Sequence, residues 1–433
     1  MAPMTRPATV EAWLAYLETL HPKAIALGLD RVRAVAVRLD ATITCPVITV
    51  TGTNGKGSTC AMLDAILRSA GYRVGLYMSP HLLRYHERVR VNGVDATDAE
   101  LVEAFGAVED ARLAALDTLG APILLTYFEF GTLAALWLFA RAGLEALVLE
   151  VGLGGRLDAV NIVDADVAVL TSVAIDHVEY LGAERESIGR EKAGIFRPGK
   201  PAVCGDRDPP ASVIAVAAAV GAVLHVAGRD FGHVAEGTQW RYSGQRERFG
   251  LPFPALRGKY QLDNAAVVLA TLDLLRDPLP VSAGALRDGL LNVVLPGRFE
   301  VLPGRPTIVL DVAHNPHAAR ALAEALGDMG YHPETYAVCG MLADKDIAGV
   351  VAAIRPRIDH WYVASLSGAR GATAAQVRSA LLGAGVAPTD VRTFEAMEQA
   401  VTAARADAGE TDRIVVFGSF LTVAAAKSAL ARA

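Results

Sequence analysis

Short apolar runs recur along the chain, each separated from the next by a longer stretch with helical spacing. The earlier runs are PVITV at 46–50, RVGLYM at 73–78, ALVLEVG at 146–152, VAVLTSV at 167–173 and PAVCG at 201–205. The later runs are TIVLDVA at 307–313, YAVCGML at 336–342, WYVASL at 361–366 and RIVVFGSF at 413–420. Strands that are apolar on both faces and alternate with helices form parallel sheets covered on both sides. The sequence therefore predicts an α/β fold made of two doubly wound units.

The length of the chain also predicts two domains, because 433 residues exceed what one hydrophobic core usually supports. Proline and glycine cluster in the stretch LNVVLPGRFEVLPGRP at 291–306, and such clusters mark loops and boundaries. We predict an N-terminal domain at 1–296 and a smaller, Rossmann-like C-terminal domain at 297–433.

Charge and cysteine usage narrow the class of protein. The net charge of −6 gives no basis for binding nucleic acid or an anionic membrane surface, so neither partner is expected. The four cysteines are scattered, without the paired spacing of a zinc site or the density of a disulfide framework. Glu11 and Glu18 interrupt the N-terminal region, so no signal peptide is expected there. A reduced, cytoplasmic setting is the resulting prediction.

One uncharged stretch, ASVIAVAAAVGAVLHVAG at 211–228, is long enough to suggest a membrane span. Alanine dominates it, Gly221 interrupts it and His225 lies inside it. We predict instead a buried helix that ends at a glycine cap and continues into a strand.

The segment TGTNGKGSTC at 51–60 directly follows an apolar run and precedes a helical pattern. It departs from the common phosphate-loop pattern G-x-x-x-x-G-K-[ST], because Val50 replaces the first glycine and Gly57 separates Lys56 from Ser58. The alternative is a plain strand–helix turn with an incidental lysine. Three glycines, a lysine and several hydroxyls within a few residues favour a phosphate loop.

The chemistry of this segment suits a nucleoside triphosphate. Ligands of open α/β sheets bind beyond the carboxyl ends of the strands, where this loop lies. Gly52, Gly55 and Gly57 are expected to leave backbone N–H groups facing phosphate oxygens. A helix from about Ser58 adds the positive end of its dipole. Lys56 can reach the outer phosphates, and Ser58 or Thr59 can offer a hydroxyl to Mg²⁺.

Polar side chains also follow three other apolar runs. Glu150 ends one strand before a glycine-rich loop, and a carboxylate there suits Mg²⁺ beside substrate phosphates. Asp176 and His177 follow a second run, and Ser79 and His81 follow a third. Alone, His177 would be an ordinary hydrogen-bonded loop residue. Together with the loop, these strand ends indicate a catalytic site.

These motifs resemble those of the folylpolyglutamate synthase family, a branch of the Mur ligase superfamily. The segments TGTNGKGS, SPHL, LEVGLGGRLDA, REKAGIF, GRFE, DVAHNP, GMLADKD and VFGSF occur in the family's order. Together with the N-terminal stretch WLAYLETLHPKAIALGLDRV, they are most similar to the bacterial bifunctional dihydrofolate synthase/folylpolyglutamate synthases. The resemblance extends from about residue 13 to 423 and implies that the first domain is of the P-loop ATPase type.

The resemblance implies an ATP-dependent ligase that adds L-glutamate to dihydropteroate and to tetrahydrofolate through an acyl phosphate. It assigns Lys56, His177 and Lys192 to catalysis. It places Ser79 and Glu150 on one Mg²⁺, and His177 with a carbamylated Lys192 on a second. The residues that it assigns to ATP are Thr53, Asn54, Gly55, Lys56, Gly57, Ser58, Asn264, Arg298, Asp311 and His314.

The C-terminal domain is expected to close the nucleotide site. Arg298, in the GRFE motif, can place a bidentate guanidinium on phosphates. Asn315 and Pro316 are expected to begin a helix, which presents Asp311 and His314 at a strand end. By resemblance, Asp311 contacts the ribose. Many relatives have His where this chain has Tyr260.

By resemblance, two segments line the pteroate site. They are TYFEF, with Thr126, Tyr127, Phe128 and Glu129, and LDA, with Leu157, Asp158 and Ala159. The Asp158 carboxylate can accept two adjacent N–H donors from a pterin edge. Phe128 could pack on the ring, although a Phe in an apolar run is usually core. Residues 25–28 are a weaker candidate, and Ala369 before Arg370 departs from the family's usual spelling.

Two alternatives remain open at this level. A Mur ligase acting on a cell-wall precursor normally carries a substrate domain ahead of its ATP loop, and the residues before Thr51 are too few for one. A P-loop ATPase that forms no bond would need neither the pteroate motifs nor REKAGIF. Expected partners are dihydropteroate, tetrahydrofolate, L-glutamate and ATP, and the expected oligomeric state is a monomer. The polyglutamate length and the balance of the two activities are not predicted.

Overall fold

A computed structural model describes residues 6–117 and 119–432. The chain forms two compact units. The first comprises Met1–Phe253 and Asp263–Val293, and the second comprises Pro254–Leu262 and Val294–Ala433. The chain thus passes between the units more than once, and its last crossing falls beside the stretch rich in proline and glycine at 291–306.

An eight-stranded sheet forms the centre of the first unit, in the order β4-β3-β2-β5-β1-β6-β7-β8. Its strands are β1 Val47–Thr51, β2 Val74–Tyr77, β3 Val89–Val91, β4 Val94–Asp95, β5 Ala146–Glu150, β6 Val167–Leu170, β7 Pro201–Cys204 and β8 Val223–Val226. The strands from β2 to β8 in this order are parallel, whereas β3 and β4 pair antiparallel at one edge. The five apolar runs predicted as strands in this unit are confirmed.

Helices flank this sheet because most of its strand residues are buried and need apolar cover on both faces. The helices are α1 Val10–Leu20, α2 Asp30–Ala36, α3 Lys56–Ser69, α4 Asp98–Ala114, α5 Tyr127–Arg141, α6 Val178–Leu181, α7 Arg185–Ala193, α8 Ala211–Val220, α9 Tyr260–Leu274 and α10 Ala283–Asn292. The start of α9, up to Leu262, belongs to the second unit. Helices α1, α2, α4 and α5 pack together, with Trp13, Phe105 and Phe130 in their shared core. Helix α3 packs on β2, β5 and α10.

The first unit also contains an antiparallel three-stranded sheet, which the apolar runs did not predict. It consists of β9 Gly232–Glu236, β10 Gln239–Ser243 and β11 Arg248–Pro252. Few residues of these strands are buried, among them Trp240, Tyr242 and Leu251, so no continuous apolar run marks them.

The uncharged stretch at 211–228 forms α8, a left-handed cap at Gly221 and then β8, as predicted. The expectation that the helix is buried was wrong in part, since its buried residues are Ser212, Val213 and Ala217. In the described parts of the chain, no helix combines the length and the apolar character needed to cross a membrane.

The second unit has a six-stranded sheet in the order β12-β13-β17-β14-β15-β16. Its strands are β12 Glu300–Leu302, β13 Thr307–Leu310, β14 Thr335–Cys339, β15 His360–Ala364, β16 Val391–Phe394 and β17 Arg413–Phe417. Its helices are α11 Pro316–Gly327, α12 Ile347–Ile354, α13 Ala374–Gly383, α14 Met397–Asp407 and α15 Phe420–Ala431. All neighbouring strands are parallel except β12 and β13, so the four predicted strands and the doubly wound fold are confirmed.

Candidate functional site

The glycine-rich loop connects β1 to α3 at the carboxyl edge of the parallel sheet. Gly55 has a φ of 88° and is the N-cap of α3, which begins at Lys56 rather than near Ser58. A side chain at Gly55 would lie 2.5 Å from Asn264 Oδ1, so the predicted Asn264 does lie beside the loop. A side chain at Gly52, whose φ is 152°, would overlap the Thr171 hydroxyl. Both glycines are therefore required by close neighbours as well as by backbone conformation.

The segment after β6 holds the first half of this loop. Thr53 N–H donates to Ser172 O (2.8 Å), and Asn54 N–H donates to Ser172 Oγ (3.1 Å). The Thr171 hydroxyl donates to Asn54 O (2.6 Å), and the Thr53 hydroxyl donates to Ala174 O (3.0 Å). The backbone N–H groups of Thr53 and Asn54 are therefore bonded within the protein, and the assignment of these two residues to ATP stays a prediction. The amides of the first turn of α3, at Lys56, Gly57 and Ser58, remain the candidates because a helix start leaves its first N–H groups without intrahelical acceptors.

Two lysines converge on one oxygen of the loop. Lys56 Nζ lies 3.0 Å from the Gly52 carbonyl oxygen, and Lys192 Nζ donates to the same oxygen at 2.9 Å. Lys192, on α7, is 4% exposed. Burial lowers the pKa of its ammonium well below the usual value, and the nearby Lys56 charge lowers it further, against the opposing effect of Asp176 and Asp158. This arrangement favours a neutral amine at Lys192.

Glu150 and Ser79 meet at the end of neighbouring strands β5 and β2. The Ser79 N–H donates to Glu150 Oε2 at 2.9 Å, and Glu150 is 4% exposed. The carboxylate is also close enough to Cys60, on α3, to raise the pKa of that thiol, although burial is the larger cause. A carboxylate and a hydroxyl at the phosphate loop are oxygen donors of the kind Mg²⁺ prefers, so these residues fit a magnesium site.

His177 lies at a strained position before α6, with a left-handed φ of 51°. Its backbone N–H donates a hydrogen bond to Asp176 Oδ1 at 2.8 Å, and the Asp176 charge in turn raises the pKa of Lys192. Residues 6–117 and 119–432 contain no group of three His, Cys, Asp or Glu placed for a metal ion. The predicted Mg²⁺ ligands include Ser79 and a carbamylated Lys192, and neither belongs to these four residue types.

Thr126 and Glu129 form a capping box at the start of α5. Thr126 N–H donates to Glu129 Oε2 (2.7 Å), and Glu129 N–H donates to Thr126 Oγ1 (3.2 Å). Arg31 Nη2 bonds both Glu129 Oε1 (2.8 Å) and Ala26 O (2.6 Å), which ties the loop before α2 to this cap. Thr126 and Glu129 therefore have a structural role at the start of α5, which the sequence did not indicate.

Phe128 and Asp158 lie against the glycine-rich loop that follows β5. A side chain at Gly152 would lie 2.6 Å from Phe128 Cζ, so the ring covers this loop. Asp158 accepts hydrogen bonds from Leu153 N–H (2.9 Å) and Val160 N–H (3.0 Å), and Ala159 begins the 3₁₀ turn that it caps. Burial raises the pKa of Asp158 to about 6 despite these bonds. A backbone hydrogen bond from Gly152 also acts on this carboxylate, so about one of its roughly four acceptor sites is left for a further donor.

The loop before α2 also touches the LDA segment, because Gly28 N–H donates to Leu157 O at 3.3 Å. Tyr127 and Phe128 are half buried at the start of α5. The predicted pteroate residues of TYFEF, LDA and the loop at 25–28 are therefore neighbours in the first unit. No sequence signal pointed to Arg31, since neither of the two arginines in DRVRAVA belongs to a recognisable motif.

Asp311 organises the candidate residues of the second unit. Its buried carboxylate accepts hydrogen bonds from Phe299 N–H and Ala313 N–H, each at 2.8 Å. Burial raises the pKa of Asp311, and the Arg298 charge partly offsets this effect. Phe299 has a left-handed φ of 46°, an outlier for an aromatic residue, and the neighbouring Arg298 guanidinium lies 4.9 Å from the centre of the Phe420 ring. Asp311 thereby holds the backbone that carries Arg298.

His314 and Asn315 follow at the start of α11. His314 Nδ1 donates to Val312 O at 2.8 Å, which fixes the ring. Asn315 caps α11 through a bond from Ala318 N–H, and Pro316 is the first helical residue, as predicted. Burial is the main cause of the raised pKa of Tyr260. The nearby Asp311 charge raises this pKa further, and the Arg298 charge lowers it.

Comparisons with known proteins agree with this geometry. The Mur ligase middle domain matches residues 50–272, and the Mur ligase glutamate ligase domain matches residues 297–420. The phosphate loop at the edge of a parallel sheet and the Rossmann-like unit that follows it therefore identify an ATP-dependent ligase of the Mur class.

Curated relatives narrow the class further. The dihydrofolate synthase/folylpolyglutamate synthase of Escherichia coli (strain K12) is 48% identical over 415 residues, covering 95% of this chain and 93% of the relative. The protein of the same description from Mycobacterium tuberculosis (strain H37Rv) is 32% identical over 422 residues, covering 89% and 86%. The chain belongs to the dihydrofolate synthase/folylpolyglutamate synthase family of ADP-forming glutamate ligases, which confirms the ligase interpretation.

Solved structures show the same similarity. Escherichia coli FolC in complex with DHPP and ADP superposes with a TM-score of 0.92 at 46% identity, covering 99% of both chains. A bifunctional folylpolyglutamate synthase/dihydrofolate synthase with Mn, AMPPNP and L-glutamate bound gives a TM-score of 0.90 at 48% identity, covering 99% of this chain and 100% of that one.

Proposed function

We propose that this protein joins L-glutamate to 7,8-dihydropteroate and also extends tetrahydrofolate, each time splitting ATP into ADP and phosphate. The observation that carries the proposal is the convergence of Lys56 and the buried Lys192 on the Gly52 carbonyl, beside Glu150 at the same sheet edge. The ligands of two related structures, DHPP and ADP in one and Mn, AMPPNP and L-glutamate in the other, support ATP and L-glutamate as substrates. A monomer in the cytoplasm remains the proposed state.

The reaction first turns the substrate carboxylate into an acyl phosphate. A carboxylate oxygen bonds to the γ-phosphorus as the bond from that phosphorus to ADP breaks. The glutamate nitrogen then bonds to the acyl carbon, loses a proton, and phosphate leaves. Positioning and charge neutralisation supply most of the catalysis in such steps. Lys56 and the first-turn amides of α3 are proposed to hold the phosphates.

The remaining roles follow from donor chemistry. Ser79 and Glu150 would hold one Mg²⁺, and His177 with a Lys192 carbamate would hold a second. Bound Mg²⁺ would neutralise phosphate charge during transfer. Asn264, Arg298, Asp311 and His314 are the proposed further contacts to ATP. Of these, Arg298 offers the guanidinium fork that suits phosphate.

We propose that Phe128 and Asp158 hold the pteroate ring, with Leu157, Ala159 and Tyr127 beside them. Thr126 and Glu129 would support this wall through the capping box and not through direct contact. Asp158 has unused acceptor capacity, and Phe128 offers an aromatic surface beside Gly152.

The variant Gly152→Ala tests this wall. Its methyl group would displace the Phe128 ring, so we expect the KM for dihydropteroate to rise by about tenfold, as overpacking of roughly 1–2 kcal/mol implies. The KM for ATP should stay unchanged, and Gly106→Ala, whose methyl group meets no close neighbour, should behave as wild type. Steady-state kinetics with each substrate varied in turn measures this. An unchanged dihydropteroate KM in a folded variant would remove Phe128 from the site.

The proposed dual activity has a direct test. ADP release is measured with ATP and L-glutamate, first with dihydropteroate and separately with tetrahydrofolate, and the products are identified by mass spectrometry. We expect glutamate addition to both, and no ADP release when either the pteroate-type acid or glutamate is omitted. Hydrolysis without an acceptor would indicate a non-ligase ATPase, and activity on one acid alone would refute bifunctionality.

A further inference from the structure

Arg88 is a half-buried arginine with an unusual environment. It ends the 3₁₀ turn Tyr85–Arg88, and its Cζ lies 5.3 Å from the centre of the Tyr85 ring and 5.5 Å from that of Tyr127. Within residues 6–117 and 119–432, no carboxylate pairs with Arg88. By contrast, the nearby Arg90 pairs with Asp95. A guanidinium that is held among aromatic rings without an anion is prepared to bind one.

His81 is held by this arginine. Arg88 Nε donates to His81 Nδ1 at 2.9 Å. Because an arginine nitrogen is always a donor, His81 Nδ1 must be an acceptor, and the ring proton is on Nε2. Arg88 and His81 therefore form a pair that can offer further hydrogen-bond donors to a ligand. An oxygen-rich anion is the ligand that such a pair suits.

Arg88 and His81 lie between the residues proposed to bind Mg²⁺ and those proposed to bind the pteroate ring. His81 follows Ser79 by two residues, and the Ser79 N–H is bound to Glu150. Tyr127 lies in the TYFEF segment beside Phe128, and the Phe128 ring is 6.1 Å from the Tyr77 ring at the end of β2. An anion at Arg88 would therefore belong to the acid being activated, near the end that reacts.

We infer that Arg88, with His81 as its partner, binds the non-reacting carboxylate of a tetrahydrofolate substrate and thereby determines specificity for polyglutamylation. This inference rests on the proposed function. Dihydropteroate has a single carboxylate, which must go to the phosphate loop and react. Tetrahydrofolate ends in a glutamyl group, so a second carboxylate remains beside the reacting one. Arg88 is consequently needed to bind tetrahydrofolate, whereas dihydropteroate offers it no carboxylate.

The variant Arg88→Met tests this assignment because its unbranched apolar side chain can still pack on the tyrosine rings. With ATP and glutamate saturating, we expect kcat/KM for tetrahydrofolate to fall about 100-fold, as the loss of a charge-assisted bidentate contact implies. For dihydropteroate, kcat/KM should stay within about threefold of wild type. Arg88→Lys, which keeps the charge without the fork, should lie between these limits.

Arg84→Met is the matched control, since Arg84 precedes the same turn and its side chain is 68% exposed. It should leave both activities unchanged. Equal losses on the two acids with a raised KM for glutamate would move Arg88 to the amino-acid site and overturn the inference. Equal losses with a lowered Tm would make Arg88 structural and also overturn it. The activity of the wild type on tetrahydrofolate is measured before that of any variant. If the wild type fails to extend tetrahydrofolate, the proposed function itself is refuted.

Discussion

Replacing Lys56 by alanine is expected to lower the ligation rate by about a thousandfold, roughly 4 kcal/mol of transition-state stabilisation, without unfolding the protein. Lys56 is the first residue of α3, and its ammonium bonds to the Gly52 and Thr53 carbonyls of the loop. It is half buried, so its removal should cost little stability. The charge opposite the transferred phosphoryl group is what the variant would lose.

Lys200→Ala supplies the matched control for this experiment. Lys200 precedes β7 at the amino edge of the same sheet, away from the loop, and pairs with Asp166 while half exposed. Removing an exposed ion pair has little effect on stability, and we expect wild-type turnover. Rates would be measured with both acids, together with Tm and the affinity for ATP. Near-normal turnover by a folded Lys56→Ala enzyme would contradict the phosphate-loop assignment.

The architecture could be predicted because its strands are apolar on both faces. Each of the nine apolar runs became a strand, and parallel pairing brought Gly52, Glu150 and the residues after β6 to one edge. The sheet β9–β11 escaped prediction because few of its strand residues are buried and many are polar, such as Arg241 and Gln239. Sequence periodicity reports burial, and a strand with one exposed face gives only a short, weak signal.

The site was predictable by residue type but not by contact. Lysine, glycine and carboxylate at strand ends could be read from the chain, whereas the hydrogen bonds of Thr171 and Ser172 to the loop could not, because a serine or threonine after a strand is commonplace. The same limit applies to Thr126 and Glu129. Their motif was visible, yet the capping box that occupies both side chains depends on where α5 begins.

Lys192 is expected to be carbamylated on Nζ, and its loss should lower activity by about 100- to 1000-fold. The plain alternative, a surface lysine paired with a neighbouring glutamate, does not describe this side chain, which is 4% exposed and bonds to Gly52 O. Because burial and Lys56 lower its pKa, the amine stays neutral to a lower pH than a free lysine, and a neutral amine can react with carbon dioxide. The carbamate would be an oxygen ligand for Mg²⁺ beside His177.

The pH dependence follows from the direction of that pKa shift. Acidification through the lowered pKa protonates Lys192, which blocks carbamate formation. Activity should therefore fall on the acid side and recover in part when bicarbonate is added. Labelled bicarbonate should give a carbamate carbon signal by NMR in the wild type and in Lys200→Ala, and none in Lys192→Ala.

The variant Lys192→Gln separates the carbamate from the hydrogen bond to Gly52. Its amide can still donate to that carbonyl but cannot carry the modification, so it should be as inactive as Lys192→Ala. Short carboxylic acids should restore part of the activity of the alanine variant, because a small carboxylate can occupy the space and charge of the missing carbamate. A fully active Lys192→Gln enzyme, or wild type whose Nζ remains a bare amine with Mg²⁺ and nucleotide bound, would show that Lys192 acts as a neutral hydrogen-bond donor instead.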